Sequence, residues 1–209
     1  MKTPVIGVLA LQGAIEEHVA ATKLAFKELN LEGSVRLVKT VEDVKAVNGL
    51  IVPGGESTVI GRLLSVNQTL QAVKQRIYEG MPVLGTCAGL VLLAGKVYDR
   101  VLGETSQPTL GVMDVVVERN AFGRQRESFE ADLEVPVIGE KKFRGVFIRA
   151  PAIRQFASHV TVLAWLNGMA VAVQQHNMVG TAFHPELTWD TRIHQYFVNM
   201  VVNAYADAA

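Results

Sequence analysis

Residues 85–89 read Gly-Thr-Cys-Ala-Gly and hold the chain's one cysteine, Cys87. A short apolar run, "VL", precedes them and another, "LVLLAG", follows. A strand, a cysteine with a glycine two residues away on either side, and then a helix is the sequence form of a nucleophile elbow. The glycines permit the tight backbone and close packing that leave the central side chain exposed at the turn. A sulfur at a helix N-terminus faces unpaired amide groups and the positive end of the helix dipole, which favours the thiolate and makes it reactive near neutral pH. Without the glycines, an ordinary buried thiol would be the commoner reading.

A cysteine nucleophile requires a base, and the base requires an orienting partner. Five histidines are available. His18 falls in an amphipathic helix, His159 and His176 beside or between short strands, and His194 at the start of the last helix; these four read as surface or structural residues. His184 differs, because it ends the strand-like "MVGTAF" and is followed by Pro185 and Glu186. A carboxylate two residues beyond the histidine on a proline-stiffened turn can accept the second ring proton and fix the tautomer. His-Pro-Glu alone also suits a surface loop; beside the elbow it supplies the base and its orienter. Acyl transfer further needs donors for a tetrahedral oxyanion. The amide of Ala88 is one by the elbow geometry, and "PGGES", residues 53–57, offers Gly55 as the other. Neither a Walker pattern nor Gly-x-Gly-x-x-Gly occurs, which disfavours a nucleotide site. The chemistry read here calls for no cofactor and no metal.

The elements that must position these groups alternate along the first half. "VIGVLAL", residues 5–11, reads as a strand buried on both faces. Residues 13–29 place Ile15, Val19, Thr22 and Phe26 at helical spacing. "SVRLVK" is a second strand, and Thr40 three residues before Asp43 opens a helix. "GLIVPGG" is a third strand entering a turn, and residues 57–79 are helical with a break near Asn67. Gly80 closes that helix, and Pro82 sets off the fourth strand, "VLGT". Such an order implies a three-layer, doubly wound α/β fold with a mostly parallel sheet, whose ligand crevice lies at the carboxyl ends of the strands. After Gly95 the texture becomes β-rich runs separated by turns, read as antiparallel β-hairpins added to the main sheet. A last helix spans residues 190–205. With no repeat, low-complexity tract or linker, residues 1–209 read as one domain.

Composition narrows the partners. About half of the 209 residues are hydrophobic, enough for a full core, and 20 basic residues balance 20 acidic ones. No basic block or aromatic-studded basic stripe points to nucleic acid. No stretch reaches the ~18 apolar residues of a membrane span, and the N-terminal apolar run reads as a buried strand rather than a signal peptide. One cysteine forms no internal disulfide, so a cytoplasmic address is expected.

Gly-Thr-Cys-Ala-Gly, "FHPE" near the C-terminus and a Gly-Gly turn after the third strand together resemble the class I glutamine amidotransferase family. More narrowly, "LALQGAIEEH", "VPGGEST", "GTCAGL", "VVVERNAFGRQRESFEADL", "FIRAP" and "FHPEL" look like the glutaminase subunits of pyridoxal 5′-phosphate synthase, the PdxT family, over nearly the whole chain. The resemblance implies that Cys87 attacks the side-chain amide of L-glutamine, that His184 shuttles the proton and that Glu186 orients the histidine, with glutamate and ammonia as products. It carries the glutamine contacts onto Gly55, Glu56, Ser57, Arg119, Ile148 and Arg149, and places Gln12 near a contact with a synthase (lyase) subunit. That partner would receive the ammonia, in a family complex of twelve copies of each subunit. The segment "KVYDRVLGETSQPT", residues 96–109, is longer than the family form and reads as a surface loop. Two alternatives keep the fold: a glutaminase serving another synthase, such as the imidazole glycerol phosphate system, and a non-catalytic redox-sensing module that uses Cys87.

Overall fold

The computed structural model describes residues 3–66, 68–99, 101–119, 121 and 128–207. Asn67, where a helix break is expected, lies outside the described residues, as do Asn120 and residues 122–127 of the "ERNAFGRQ" block. The chain order is β1 (Val5–Leu9), α1 (Ile15–Glu28), β2 (Ser34–Val38), α2 (Val41–Lys45), β3 (Gly49–Val52), α3 (Ser57–Val66), α4 (Thr69–Tyr78), β4 (Val83–Thr86) and α5 (Ala88–Leu93). There follow β5 (Ala94–Asp99), β6 (Gly103–Glu104), β7 (Met113–Arg119), β8 (Phe129–Leu133), β9 (Phe143–Phe147), β10 (Ala152–Phe156), β11 (Thr161–Leu166), β12 (Met169–Gln175), β13 (Met178–Thr181) and α6 (Arg192–Asp207).

The main sheet has seven strands in the order β11-β12-β13-β4-β3-β1-β2. From β13 to β2 all neighbours are parallel; β12 and β11 extend one edge antiparallel. β3 and β4 are buried at every residue, as their unbroken apolar composition requires of strands covered on both faces. Parallel neighbours joined through helices place those helices over the faces of the sheet. α1 packs with α6, while α4 packs with α2 and α3, and α3 also packs with α5.

Local signals act as their chemistry dictates. Thr40 and Asp43 form a reciprocal capping box at the start of α2. Gly80, at φ +98°, ends α4 in a left-handed conformation; its N–H donates to the Ile77 carbonyl and that of Met81 to the Arg76 carbonyl, which makes a Schellman close. On α1 the fully covered residues are Ala25, Thr22 and His18, with Ile15 and Val19 half-buried at the flank of the stripe. His18 is therefore part of the core-facing side.

The β-rich second half departs from the expected arrangement in its pairing. Only β11, β12 and β13 join the main sheet. β10-β7-β5-β6 forms a second sheet, and β8 pairs with β9 alone among the described strands. Within the second sheet β5 runs parallel to β7. The cause is local: α5 stops at Leu93, Ala94 is already extended (φ −60°, ψ 139°), and the chain passes from helix to strand without a turn. Residues expected to be a surface loop thus begin as β5. Their continuation is tied back by the N–H groups of Leu110 and Val112, which donate to the carbonyls of Leu92 and Leu93 at 2.8 and 3.0 Å. No helix among the described residues is long and apolar enough to cross a membrane.

Candidate active site

Cys87 follows β4 directly and has φ 48° and ψ −102°, a left-handed conformation that a side-chain-bearing residue adopts only under constraint. The constraint is visible on both sides. A Cβ on Gly85 would lie 2.7 Å from the Gly89 carbonyl carbon, and one on Gly89 would lie 2.0 Å from the Val52 carbonyl oxygen. Both glycines are needed for α5 to start so close to β3 and β4. The Cys87 N–H donates to the Thr181 carbonyl at 2.8 Å, and its Sγ lies 3.8 Å from the Ile148 carbonyl oxygen.

Thr181 ends β13, the parallel neighbour of β4, with Thr181 paired to Thr86. Adjacent parallel strands therefore deliver Cys87 and the "FHPE" turn to the same carboxyl edge of the sheet. His184 is fixed there by its own N–H, which donates to the Val146 carbonyl of β9 at 2.8 Å. Pro185–Leu187 then turn as a short 3-10 helix that brings Glu186 back. Nδ1 of His184 and Oε1 of Glu186 are 2.7 Å apart and both residues are buried. Burial disfavours the imidazolium, but hydrogen bonds to Cys87 and Glu186, reinforced by their charges, outweigh it and raise the His184 pKa to about 10. Glu186 is likewise penalised by burial, yet His18 and His184 hold its carboxyl below the usual carboxylate range. A Cβ on Gly54 would lie 2.3 Å from His184 Cε1, so the first glycine of the Gly-Gly turn makes room for the ring.

Behind Glu186 lies a second layer. His18 Nε2 is 3.3 Å from Glu186 Oε2 and 3.0 Å from Thr86 Oγ1, and His18 Nδ1 is 3.0 Å from His194 Nε2. Both of these histidines are wholly buried. Desolvation lowers the pKa of each, to about 3 for His194 and against the opposing pull of Glu186 for His18, so both rings are neutral. Of the surface or structural readings of His18 and His194, burial excludes the surface one, and both rings sit against the proposed triad.

In front of Cys87 a cavity of about 280 Å³ opens, lined by Gln12, Gly55, Glu56, Ser57, Cys87, Ala88, Val91, Arg119, Ile148, Arg149, Pro151 and His184. Every sequence-predicted substrate, oxyanion and nucleophile position meets here, and Glu186 stands behind His184. Gln12 turns inward: its Oε1 accepts from the Glu56 N–H at 2.8 Å. Glu56 lies between the two arginines, with Arg119 Nη2 3.3 Å from Oε1 and Arg149 Nη2 3.6 Å from Oε2. Arg119 is the more firmly held. Its Nη1 donates to Gln107 Oε1 at 2.6 Å and to Thr58 Oγ1 at 2.7 Å, and its Nε is 3.8 Å from Asp99. Arg149 is about half exposed.

Gln107, Asp99 and Thr58 are functional-site residues that sequence reasoning missed. Asp99 stands beside Arg119 because β5 and β7 pair in parallel with those two residues in register. Gln107 reaches α3 because Gly61 there lets the chain approach: a Cβ on Gly61 would lie 2.3 Å from the Pro108 carbonyl oxygen. Among the described residues, no group of three or more His, Cys, Asp or Glu side chains is arranged to hold a metal ion.

With this geometry in view, the chain can be compared with known proteins. Residues 8–203 match the model of the SNO glutamine amidotransferase family. The chain is 50% identical over 196 residues to the pyridoxal 5′-phosphate synthase subunit PdxT of Nitrosopumilus maritimus (strain SCM1), covering 94% of this chain and 96% of that one. It is also 50% identical over 198 residues to the protein of the same name from Methanosarcina mazei, covering 95% and 98%. Among solved structures, a crystal structure of a glutamine amidotransferase superposes with a TM-score of 0.81 at 45% identity, over 94% of this chain and 98% of that one. A glutamine amidotransferase from Thermotoga maritima superposes with a TM-score of 0.62 at 15% identity, over 100% and 84%; that likeness is of fold alone.

Proposed function

The chain belongs to the SNO glutamine amidotransferase family, and from that premise we propose that Cys87, His184 and Glu186 form its catalytic triad, with Gly55 and Ala88 supplying the oxyanion donors. The protein is the glutaminase subunit of a pyridoxal 5′-phosphate synthase: it hydrolyses L-glutamine to L-glutamate and ammonia, and the ammonia serves a synthase subunit that builds the cofactor. The observation that carries the residue assignment is the His184 ring, held by a 2.7 Å contact to Glu186 on one nitrogen and lining the same cavity as Cys87.

The steps follow from that arrangement. With the proton on His184, the Cys87 sulfur attacks the side-chain amide carbon of glutamine, and the developing oxyanion is met by the amides of Gly55 and Ala88. As the C–N bond breaks, His184 gives its proton to the leaving nitrogen, ammonia departs, and a γ-glutamyl thioester remains. Water then attacks the thioester with His184 as base, which releases glutamate and restores the sulfur. Glu186 keeps the ring in one orientation and stabilises its charged form through both steps. In the pocket, Arg149 has room to pair with the free carboxylate of glutamine, and the Glu56 carboxylate suits its ammonium group. Arg119, locked by four partners, sets the position of Glu56. Ser57 and Ile148 complete the walls.

Gln12 is proposed to lie near the synthase contact; its bond to the Glu56 amide would let docking reach the "PGGES" turn. A cytoplasmic address, an assembly with twelve copies of each subunit, and action of residues 1–209 as one domain are proposed on the family pattern and the single unpaired cysteine. The test is glutamate release from glutamine with and without the synthase subunit, with pyridoxal phosphate formation followed in parallel. Stimulation by that subunit, with new cofactor formed and all of it lost in Cys87→Ala, is expected. Full activity in Cys87→Ala would overturn the triad, and stimulation by a different synthase alone would overturn the partner.

A further inference from the structure

We propose that His18 is a positioning residue for the triad carboxylate, its Nε2–H shared between Thr86 Oγ1 and Glu186 Oε2 while Nδ1 accepts a hydrogen bond from His194 Nε2–H. The inference rests on the triad reading above and extends it by one layer, from α1 and α6 through to the nucleophile.

Glu186 Oε1 is taken by His184, but Oε2 is buried without an aligned hydrogen bond, and a carboxylate oxygen deprived of water needs a donor. The polar nitrogen facing it is His18 Nε2, at 3.3 Å. A neutral imidazole carries one proton, and two tautomers are available. With the proton on Nδ1, the bare lone pair of Nε2 would point at the carboxylate, and His194 would be left with a buried N–H on Nδ1, an atom that has no partner. With the proton on Nε2, the carboxylate meets a donor, His194 donates through its Nε2, and the atom left unpaired is the His194 Nδ1 lone pair, the milder loss. The second arrangement satisfies more of the network.

The groups facing His18 leave it neutral in that role. Glu186 and His184 approach from the active-site side, His194 from α6, Thr86 from β4, and Glu17 lies next to it on α1 at the exposed surface. A second positive charge so near the His184 imidazolium would oppose it. A neutral donor anchors the carboxylate without competing for its charge. His18 and His194 also join the first and last helices, whose side chains meet over this point. The rigidity of the α1–α6 contact is thereby passed to Glu186.

The test uses the full chain and exploits its single cysteine, since alkylation by iodoacetamide reports Cys87 alone. The rate is measured against pH for the native chain, His18→Leu and His18→Gln, and kcat and KM for glutamate release are measured with the synthase subunit present. Loss of one donor to a buried carboxylate raises the pH at which Glu186 protonates. For His18→Leu the acid limb of alkylation is expected to move up by about one pH unit, and kcat to fall about tenfold with KM within twofold. The amide N–H of His18→Gln reaches the place of Nε2 and should restore most of both. An unchanged acid limb and kcat in His18→Leu, with Cys87→Ala inactive, overturns the role of His18 and leaves the triad standing. Activity in Cys87→Ala would instead remove the triad reading. If His18→Leu does not fold, ¹⁵N-histidine NMR of the native chain decides: His18 protonated on Nε2 supports the proposal, and His18 protonated on Nδ1 overturns it.

Discussion

Replacing Gly54 by alanine tests whether His184 has one working position. The backbone at Gly54 is not in the left-handed region, so alanine brings no conformational strain of its own; the whole perturbation is the added methyl group. That carbon would stand 2.3 Å from His184 Cε1 and 2.9 Å from Nδ1. Ordinary contact begins at 3.4 Å, so the ring has to retreat by about 1.1 Å, the difference 3.4 − 2.3. Retreat is blocked behind the ring, where Glu186 is 2.7 Å from Nδ1 and buried, and the His184 main chain is bound to Val146. A displacement of about 1 Å from reacting geometry costs roughly 100-fold in rate, equivalent to about 2.7 kcal/mol of barrier. The assay is glutamate release by Gly54→Ala in the presence of the synthase subunit, with Gly80→Ala as the control. Gly80 has φ +98° and nothing within 4 Å of a built Cβ, so that variant should lose about 1 kcal/mol of stability through backbone strain and keep its kcat. If Gly54→Ala stays within threefold of the native kcat while folding normally, the claim that the Gly-Gly turn fixes the histidine is wrong.

Gln107→Leu should raise KM for glutamine about tenfold or more and leave kcat within twofold. It removes the 2.6 Å acceptor of Arg119 and with it the strongest tie on the cation that positions Glu56; an unchanged KM would detach this segment from the site. Thr40→Ala breaks the capping box of α2, far from the cavity, and should lower stability by about 1 kcal/mol in urea titration with no kinetic effect. The pH profile of kcat/KM should fall on the alkaline side as His184 loses its proton near pH 10, because the leaving nitrogen is then without its acid. On the acid side, Glu186 has a folded pKa below its ordinary 4.5. The stability it contributes is therefore present above pH 4.5 and is lost as pH falls through the folded value. The difference in urea midpoint between the native chain and Glu186→Gln should accordingly shrink below pH 4.5, and a difference that grows there would contradict the assignment.

What could be read from the sequence was what neighbouring residues determine. Gly85, Cys87 and Gly89 announce a strand-to-helix turn whichever helix follows, and His184 with Glu186 lies on one proline-bound turn. The main-sheet strands β1 and β3 could likewise be read from their unbroken apolar runs. Pairing in the second half could not, because β5 and β7 are brought side by side by the way α5 ends, and nothing in "KVYDRVLGETSQPT" states that Ala94 leaves the helix extended. Asp99 and Gln107 consequently reached the site unannounced. His18 is a different case, since the signal was present: it falls three residues after Ile15 and four before Thr22, on the stripe that faces the core. A histidine at such a position has to find polar partners inside the protein, and reading it as structural stopped short of asking which ones.

The two sheets contribute different parts of the proposed site. The main sheet holds Cys87 and His184 through two parallel strands that cannot shift register without losing their buried pairing, so the proposed nucleophile and base are tied to the buried part of the sheet. The groups proposed to face glutamine come from loops and from the second sheet: Glu56 and Ser57 after β3, Arg119 at the end of β7, Arg149 after β9. These are joined to one another by side-chain bonds among Arg119, Gln107, Thr58 and Glu56, and to the main sheet through Gln12. A movement confined to residues 55–57, with Gly54 still packed against the His184 ring, would therefore shift the substrate contacts together while leaving Cys87 and His184 in place. An effector acting on residues 55–57 alone should change KM for glutamine, and the supply of oxyanion donors from Gly55, without altering the rate at which iodoacetamide finds Cys87. The two measurements, made on the same preparation with and without the synthase subunit, separate assembly of the binding half from activation of the nucleophile.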